Sequence, residues 1–499
     1  MLKNIFVSIL YIFINQSIYA QIFVSSTGND SNPGTIDFPL KTIPTAISKV
    51  QAGDTIYLRG GVYSLSAKIS ISKNGSSNSF YYLFAYNGER PILDFSSMPV
   101  NSSNRGINLS GDYWYIKGID IKGAGDNGMN ISGSYNTIEY CSFYENRDTG
   151  LQLGGGASNN QIINCDSYFN ADPGQGNADG FAPKLDVGTN NYFYGCRAWQ
   201  NSDDGWDGYM RGANDISTTL ENCWCFMNGY LKDGNASIGN GNGYKMGGSD
   251  DKTLMHNFTL RNCIAFDNRV KGFDQNNNKG SMILYNCTAY RNGTNYSIVS
   301  ALNTGKTANV VNCVSLGNYG NLGNFVLQQT NSWLSLFIVT DADFKSIDTL
   351  GVRGVRKSDG SLPDIDFLHL ALGSDLIDAG TDVGIPYNGK APDLGAFESG
   401  FVNAVVNSKN ILFNFKLLQN YPNPFNPSTK IEYIIPKQSR VILKIYNIEG
   451  QEVSELVNKE QPAGEYSVNF DANGLASGIY FYKLVSGSKI LTRKMILLK

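Results

Sequence analysis

The sequence of 499 residues is poor in histidine, in charge and in long apolar stretches. It has only two histidines, His256 and His369, which disfavours metal sites built on imidazole, such as zinc sites. Charged residues make up 17 %, the net charge is −3 and the basic residues are not clustered, so neither nucleic acid nor an anionic membrane is indicated as a partner. Beyond the N-terminus no apolar run is long enough to cross a bilayer. Glycine (54), tyrosine (29) and phenylalanine (26) are abundant instead, which favours β structure with many turns.

The first 20 residues have the pattern of a secretory signal peptide. Lys3 precedes an apolar stretch from about Ile5 to Ile14, and the small residue Ala20 precedes Gln21. The apolar stretch is too short for a comfortable transmembrane helix. A buried N-terminal strand is the alternative reading. We expect residues 1–20 to be a signal peptide and the mature protein to be secreted.

Seven of the eight cysteines recur at one position of a repeated segment. Each has an asparagine five residues later, as in NQIINCDSYFN (160–170), and the spacings between these cysteines are 24, 31, 27, 40, 24 and 26 residues. Such a period, with alternating apolar residues, indicates a β-solenoid whose repeats are coils of a parallel β-helix. We expect an internal ladder of cysteines without disulfides, with Cys225 outside the register, and a ladder of asparagines at a turn that tolerates left-handed geometry. The seven cysteines are Cys141, Cys165, Cys196, Cys223, Cys263, Cys287 and Cys313.

The sequence changes character at both ends of the repeats. Residues 42–50 have apolar positions at helical spacing, which predicts a short helix that caps the first coil. We expect coils to about residue 340, then an irregular stretch that closes at 378–400. Residues 416–499 alternate strands with turns and predict an antiparallel β-sandwich. The expected class is all-β: a parallel β-helix over 21–400, a linker at 401–415 and the sandwich.

Aspartates concentrate just after the asparagine positions. NSDDGWDGY contains Asp203, Asp204 and Asp207, and the preceding coil contains Asp179. If the inserted residues ADPGQGN are set aside, the two Asp-Gly pairs fall into register, and stacked positions lie about 4.8 Å apart. In the next coil Lys245 falls opposite Asp207. In each of these coils a glycine is followed by a large apolar residue, which we expect to plug the core.

This patch predicts a cation site. Four close carboxylates repel one another unless something positive binds, and an oxygen-only set suits Ca²⁺ better than Zn²⁺. Three alternatives stay open: Asp-Gly pairs that only form turns, an acid and base pair of a glycoside hydrolase at Asp203 and Asp204, and a non-catalytic sugar-binding solenoid with a structural Ca²⁺. Lys245 argues against the last, because a structural site needs no base. Trp199 and Trp206 are expected to pack in the core or at its rim.

The segments NADGFAPK, GCRAWQNSDDGWDGY and GNGYKMGG resemble polysaccharide lyase family 9, the right-handed parallel β-helix pectate lyases, and the resemblance spans roughly residues 22–400. It implies that Asp179, Asp203, Asp204 and Asp207 bind a catalytic Ca²⁺. It also implies that Lys245 removes the C5 proton in a β-elimination on polygalacturonate. Because a lysine has a pKa of about 10.4, which a nearby Ca²⁺ lowers, we expect an alkaline optimum and strict Ca²⁺ dependence. Rhamnogalacturonan or another uronate polymer is the alternative substrate. Four basic residues are weaker candidates for substrate contacts: Lys184, Arg211, Arg269 and Lys271.

The C-terminal segment carries a second resemblance. YPNPFNP (421–427), GLASGIYFYKL and the closing KMILLK are similar to the C-terminal sorting domain of the type IX secretion system. This resemblance implies that the type IX machinery exports the protein across an outer membrane, after which it is released or attached to the cell surface. We expect a monomer.

Overall fold

The structure is a computed structural model that describes residues 20–334, 337–399, 415–435, 439–461, 464–487 and 489–498. The chain divides into two compact units at Val405/Val406. Nearly all of the predicted signal peptide (1–20) and linker (401–415) lies outside the described residues, so both stay predictions. In the ranges that are described, no helix has the length and apolar character needed to span a membrane.

The N-terminal unit is a parallel β-helix in which successive coils add strands to three parallel sheets. Sheet A comprises Gln21–Val24, Thr55–Leu58, Tyr81–Ala85, Trp114–Lys117, Thr137–Glu139, Gln161–Ile163, Asn191–Tyr194, Ile216–Glu221, His256–Arg261, Met282–Tyr285, Ala308–Val311 and Val326–Gln329. Sheet B comprises Gly61–Ser64, Pro91–Asp94, Asp120–Lys122, Ser142–Tyr144, Asp166–Tyr168, Arg197–Trp199, Trp224–Phe226, Ile264–Phe266, Thr288–Tyr290 and Val314–Leu316. Sheet C comprises Ile69–Ile71, Ile107–Leu109, Met129–Ile131, Leu151–Leu153, Phe181–Pro183, Trp206–Asp207, Tyr244–Lys245, Lys271–Asp274, Thr294–Ile298 and Gly320–Leu322.

The residue that follows each Asp-Gly or related pair fills the core behind sheet C, as predicted. The rings of successive coils stack with centroids 4.8 to 5.1 Å apart. Trp206 is fully buried in this stack, and Trp199 is 5 % exposed in the stack on sheet B. Both tryptophans therefore pack in the interior, as expected. The stacked rings are Phe181, Trp206, Tyr244, Phe273 and Tyr296.

The cysteine ladder is confirmed. Each of the seven repeat cysteines lies two positions after the last residue of a strand of sheet A, their thiols contact those of neighbouring coils, and all eight cysteines are buried and free. Cys225 lies in sheet B opposite Ala198 and Ala265. A Cβ added to Gly205 would lie 2.0 Å from the Sγ of Cys225. Cys225 is therefore a small filler beneath Gly205, and the Asp-Gly sequence needs its glycine for this close approach.

The asparagine ladder is confirmed for six of the seven positions. Five bonds of 2.9 Å run from the Nδ2 of one asparagine to the Oδ1 of the next. The seventh, Asn318, is exposed, and Asn295 accepts the bond from Asn292 in its place. The expected left-handed conformation falls one residue earlier than the asparagine, for example at Gln200 with φ 48°. The six members are Asn146, Asn170, Asn201, Asn228, Asn268 and Asn292.

The ends of the β-helix are closed differently. The predicted cap helix is present as Ile43–Lys49, where Thr42 caps the N-terminus by accepting a bond from the backbone N–H of Thr45. The coils end at Gln329, earlier than the predicted residue 340, and a 3₁₀ helix follows at Asp341–Asp343. The irregular segment from 337 to 397 packs its apolar side chains against the aromatic rings of sheet B.

The C-terminal unit is a β-sandwich of two antiparallel sheets that share one apolar core. One sheet comprises Lys416–Leu417, Ser428–Ile435 and Gly464–Asp471. The other comprises Glu452–Gln461, Ser439–Tyr446, Gly478–Ser486 and Lys489–Leu497. The all-β class with two different β architectures is thus as predicted.

Candidate active site

Sheet C brings the predicted residues of the aspartate patch together. Phe181 pairs with Trp206, which puts Asp179 beside Asp204, and the backbone N–H of Asp204 donates to Asp179 Oδ1 at 3.1 Å. Asp207 pairs directly with Lys245 in the next coil. The register of sheet C therefore places these positions of adjacent coils side by side, as the sequence predicted.

Three of the four aspartates form a compact group. Asp179, Asp204 and Asp207 each have a carboxylate oxygen within 4.8 Å of the other two. All three are buried, with exposed fractions of 0, 0 and 4 %. Asp203 is also buried but does not join this group, because its Oδ1 accepts a hydrogen bond from the backbone N–H of Asn240 in a loop. The role of Asp203 as a fourth ligand stays a prediction.

Two buried lysines neutralise this group. Lys184 Nζ lies 2.6 Å from Asp179 Oδ2 and 3.4 Å from Asp207 Oδ2. Lys245 Nζ lies 3.1 Å from Asp204 Oδ2 and 3.3 Å from Asp207 Oδ1. Asp207 is thus shared between the two ammonium groups, and Lys245 also lies 5.6 Å from the centroid of the Tyr209 ring.

Burial and charge act in opposite directions here. Burial raises the pKa of Asp179 to about 7 and of Asp203 to about 9, and neighbouring carboxylates add to both shifts. Burial also opposes ionisation of Asp207, but Lys245 and Lys184 outweigh it and lower the pKa of this carboxyl. For Lys245, burial would lower the pKa, yet Asp204 and Asp207 hold it well above its usual value. The cluster therefore favours a bound cation.

The donor set fits a calcium ion. It consists of carboxylate oxygens, which hard divalent cations prefer, and none of the described histidines or cysteines enters it. Asp204 Oδ2 and Asn242 Oδ1 are buried without a hydrogen-bond partner among the described residues, although the former has its ion pair with Lys245. Asp179, Asp204 and Asp207, with Asp203 nearby, are the residues that would hold the ion.

The other basic candidates lie apart from the aspartate group. Arg211 is exposed and pairs with Asp250 at 3.0 Å. Arg269 donates to the backbone carbonyl of Gly239 in the loop that also contacts Asp203. Lys271 pairs with Asp274 at 2.9 Å. Their roles in substrate binding stay predictions.

Two features of the site were not predicted from the sequence. Lys184 was expected only as a weak substrate contact, yet it is a counter-ion inside the cluster: it directly follows the strand Phe181–Pro183, and its Nζ contacts both Asp179 and Asp207. His256 lies close by, with Nδ1 bonded to the carbonyl of Gly208 at 2.9 Å and Nε2 to Thr218 at 2.8 Å. Burial lowers the pKa of His256 to about 4, so it is a neutral core residue.

Comparison with known proteins places this parallel β-helix, with its buried aspartate group and lysine on one sheet, among the polysaccharide lyases. Residues 22–321 match the Pel9A-like right-handed β-helix region. Pectate lyase L of Dickeya dadantii (strain 3937) is 39 % identical over 390 residues, which cover 75 % of this chain and 90 % of that protein. The crystal structure of pectate lyase Pel9A aligns with TM-score 0.71 and 38 % identity over 76 % of this chain and 96 % of that one. A rhamnogalacturonan lyase aligns with TM-score 0.64 and 27 % identity over 71 % of this chain and 97 % of that one.

The chain belongs to the Pel9A-like right-handed β-helix family. It is a polysaccharide lyase of the pectate lyase type. Residues 419–498 match the secretion system C-terminal sorting domain, which makes this an exported protein, extracellular or at the cell surface.

Proposed function

We propose that the protein cleaves polygalacturonate by Ca²⁺-dependent β-elimination, with Asp179, Asp203, Asp204 and Asp207 as the calcium ligands and Lys245 as the base. The observation that carries this proposal is the pairing of Asp207 with Lys245 inside a buried group of three carboxylates. A lysine without neighbouring acids would be a surface cation. A group of acids without the lysine could bind a cation but would have no residue to accept the proton from the substrate.

The reaction removes a proton from C5 of a uronate, where the hydrogen is acidified by the adjacent carboxylate. Lys245 Nζ takes this proton, the C5–H electron pair forms the C4=C5 double bond, and the C4–O bond breaks. The departing oxygen leaves with its electron pair and is protonated by water. When bound, Ca²⁺ would compensate the aspartates and disperse the negative charge that develops at the substrate carboxylate.

The protein residues have separate tasks in this scheme. Lys245 must be unprotonated to accept the proton, so its ion pairs with Asp204 and Asp207 must give way when substrate binds. Lys184 keeps a charge on the opposite side of Asp207 and holds that carboxylate in place. The Tyr209 ring lies on one side of Lys245 and limits the directions in which its side chain can move.

Rhamnogalacturonan is the second candidate substrate. The observation that favours it is the similarity to a rhamnogalacturonan lyase over 97 % of that chain. Polygalacturonate stands first because the pectate lyase structure has the higher identity, 38 % against 27 %, and the higher TM-score.

Export completes the proposal. We infer that residues 1–20 are a signal peptide, that 21–400 form the catalytic domain, and that 416–499 are read by the type IX secretion machinery. The protein would then act as a monomer on extracellular polysaccharide, either released or attached to the cell surface.

The experiment incubates the purified protein with polygalacturonate and with rhamnogalacturonan, with Ca²⁺ or with EDTA. We expect an ultraviolet-absorbing unsaturated product from polygalacturonate that EDTA abolishes and added Ca²⁺ restores. Lys245→Ala should abolish turnover while Ca²⁺ binding, measured by calorimetry, persists. Lys68→Ala, at an exposed position near the first coils, is the matched control and should behave as wild type.

Three outcomes contradict the proposal. New reducing ends without ultraviolet absorbance would indicate a hydrolase. Binding of the polymer without any product would indicate a sugar-binding solenoid. Full activity in EDTA would exclude the calcium site as part of the reaction.

A further inference from the structure

A cleft lies at the turn between sheets B and C, close in sequence to the aspartate group. It has a volume of about 620 Å³ and is lined by Arg147, Phe169, Asp172, Gln200, Leu231 and Lys232, among others. We call it the distal cleft. Phe169 and Gln200 each directly precede a ladder asparagine, whereas Asp203 and Asp204 follow one. The turn thus carries the distal cleft on the sheet B side and the aspartates on the sheet C side.

Two loops line the cleft, and the second of them also contacts the aspartates. One is the insertion 171–177, and the other is 229–241, whose Asn240 bonds Asp203. The loops approach each other where a Cβ added to Gly176 would lie 3.7 Å from Ile238 Cγ1. Neither loop belongs to the regular coils, so both are free to shape a binding site.

Of the two basic residues that line the distal cleft, Arg147 is the one that has no ionic partner among the described residues. Arg147 is exposed, and its guanidinium forms no ion pair or hydrogen bond with any described residue. Lys232 pairs with Glu145 and lies 5.5 Å above the ring of Phe169. Asp172, in contrast, is occupied, because its carboxylate accepts bonds from the backbone N–H groups of its own loop.

Asp233 is occupied in the same way by Asn235. The two acids that line the cleft therefore bond within their own loops, and neither forms an ion pair with Arg147. An anionic ligand is the chemistry that this arrangement favours.

A buried acceptor in the cleft wall has no donor. Gln200 is 4 % exposed, and its Nε2 donates to the carbonyl of Leu231 at 2.8 Å, which leaves Oε1 as the acceptor of this amide. Its Oε1 has no hydrogen-bond partner among the described residues. Buried acceptors are rarely left unpaired in folded proteins. A hydroxyl group of a ligand would satisfy this oxygen after a small shift of the side chain.

The cleft also has an apolar wall. The ring of Phe169 is fixed by an edge-to-face contact with Tyr168, with centroids 5.1 Å apart and planes at 84°. Leu231 and Pro173 extend this wall. Flat apolar side chains of this kind pack against the C–H face of a pyranose ring.

We propose that the distal cleft binds a uronate residue of the acidic polysaccharide, outside the position where the bond is broken. Arg147 binds the sugar carboxylate, Phe169 packs against the ring face, and Gln200 Oε1 accepts a hydroxyl hydrogen. The inference rests on the proposed function for the identity of the polymer. Gln200 and Asp203 are three residues apart, at most about 11 Å along an extended chain, so one polysaccharide can occupy both sites.

The test compares the wild type with Arg147→Gln, Arg147→Lys, Phe169→Ala and a control, Arg261→Gln, at an exposed position of sheet A. Turnover of polygalacturonate with Ca²⁺ gives KM and kcat. We expect Arg147→Gln and Phe169→Ala to raise KM about tenfold with kcat unchanged, because each loses a contact with substrate but none with the reacting atoms. Arg147→Lys should recover part of the loss, and Arg261→Gln should match the wild type.

A second measurement is independent of catalysis. Trigalacturonate is titrated in EDTA, where the aspartate group has no calcium, alongside a neutral trisaccharide of the same length. The wild type should bind the former more tightly, and Arg147→Gln should remove this preference.

The outcomes separate the two proposals. Unchanged KM in both Arg147→Gln and Phe169→Ala, or equal binding of neutral and acidic trisaccharides, would overturn the distal cleft and leave the lyase proposal intact. Absence of unsaturated product in the wild type would overturn the lyase proposal. The titration in EDTA would still decide whether the cleft binds a uronate.

Discussion

The ion cluster at Asp166 offers the most direct test of how the irregular segment after the last coil stabilises the β-helix. Asp166 in sheet B accepts two bonds of 2.8 Å from Arg197 and a bond of 2.7 Å from Arg356. Arg197 also donates to the carbonyls of Val352 and Gly354 at 2.9 Å. One carboxylate thus holds two buried guanidinium groups, and these fasten the segment to the coils.

Asp166→Asn should lower the free energy of unfolding by about 3–5 kcal/mol at pH 7, because it leaves two buried cations without an anion. The pKa of Asp166 gives a second value for the contribution of this carboxylate to stability. Burial would raise the pKa of Asp166, but Arg356 and Arg197 outweigh it and lower it from 3.8 to about 2. The difference in pKa, at about 1.4 kcal/mol for each pH unit, corresponds to about 2.5 kcal/mol of stability.

The sign of this contribution follows from the lowered pKa. The stabilisation is fully present above pH 3.8 and is lost as the pH falls towards about 2, when Asp166 becomes protonated in the folded protein as well. The stability difference between wild type and Asp166→Asn should therefore shrink over that range.

Urea unfolding followed by tryptophan fluorescence measures this difference selectively, since all five tryptophans lie between residues 114 and 333 of the β-helix. Asp267→Asn is the matched control. Asp267 forms a similar two-bond pair with Arg291, but that arginine is 49 % exposed, so the expected cost is below about 1 kcal/mol. If Asp166→Asn costs no more than Asp267→Asn, or if its effect is the same at pH 2 and pH 7, the reasoning is refuted.

Two further predictions concern the ladder and the metal site. Asn228→Ala should lower the free energy of unfolding by about 3 kcal/mol in the same urea assay, because it leaves buried groups of its ladder neighbours unpaired. At the exposed Asn318, the same substitution should lower it by less than about 0.5 kcal/mol. Equal losses in the two variants would contradict the ladder as a source of stability. Asp203→Asn should weaken Ca²⁺ binding in calorimetry by at least about 10- to 100-fold, because even residues that only hydrogen-bond to a metal ligand contribute this much to affinity. Asp126→Asn, which changes a buried carboxyl outside the group, should leave the affinity unchanged. An unchanged affinity in Asp203→Asn would remove this residue from the ligand set.

The regular part of the molecule could be predicted because parallel coils repeat one register. Equivalent positions of successive repeats must lie side by side at the spacing of strands in a sheet. The Gly-aromatic motif therefore placed Asp179 beside Asp204 and Asp207 opposite Lys245, as the structure has them. The cysteine ladder and the aromatic plugs followed from the same repetition.

The repeat also limited what could be predicted. It assigned Asn318 to the ladder, but the last coil, in which Ala308 pairs with Val326, is shorter than the one before it, and Asn295 takes that place. It located the left-handed residue at the asparagine, although the backbone turns one residue earlier. Side-chain identity marks a turn without fixing which of its residues adopts the unusual conformation.

The sequence by itself determined the class of fold, the period of its repeats and the column of acids that meets Lys245, since these depend on periodicity alone. Only the tertiary structure decided where the non-repeating parts go. Lys184 enters the aspartate group after its strand ends, Asn240 draws Asp203 towards a loop, and Arg356 reaches Asp166 from 190 positions away. Insertions and irregular segments do not repeat from coil to coil, so their positions cannot be read from the register of the sheets. Their contacts are set by packing and charge in three dimensions.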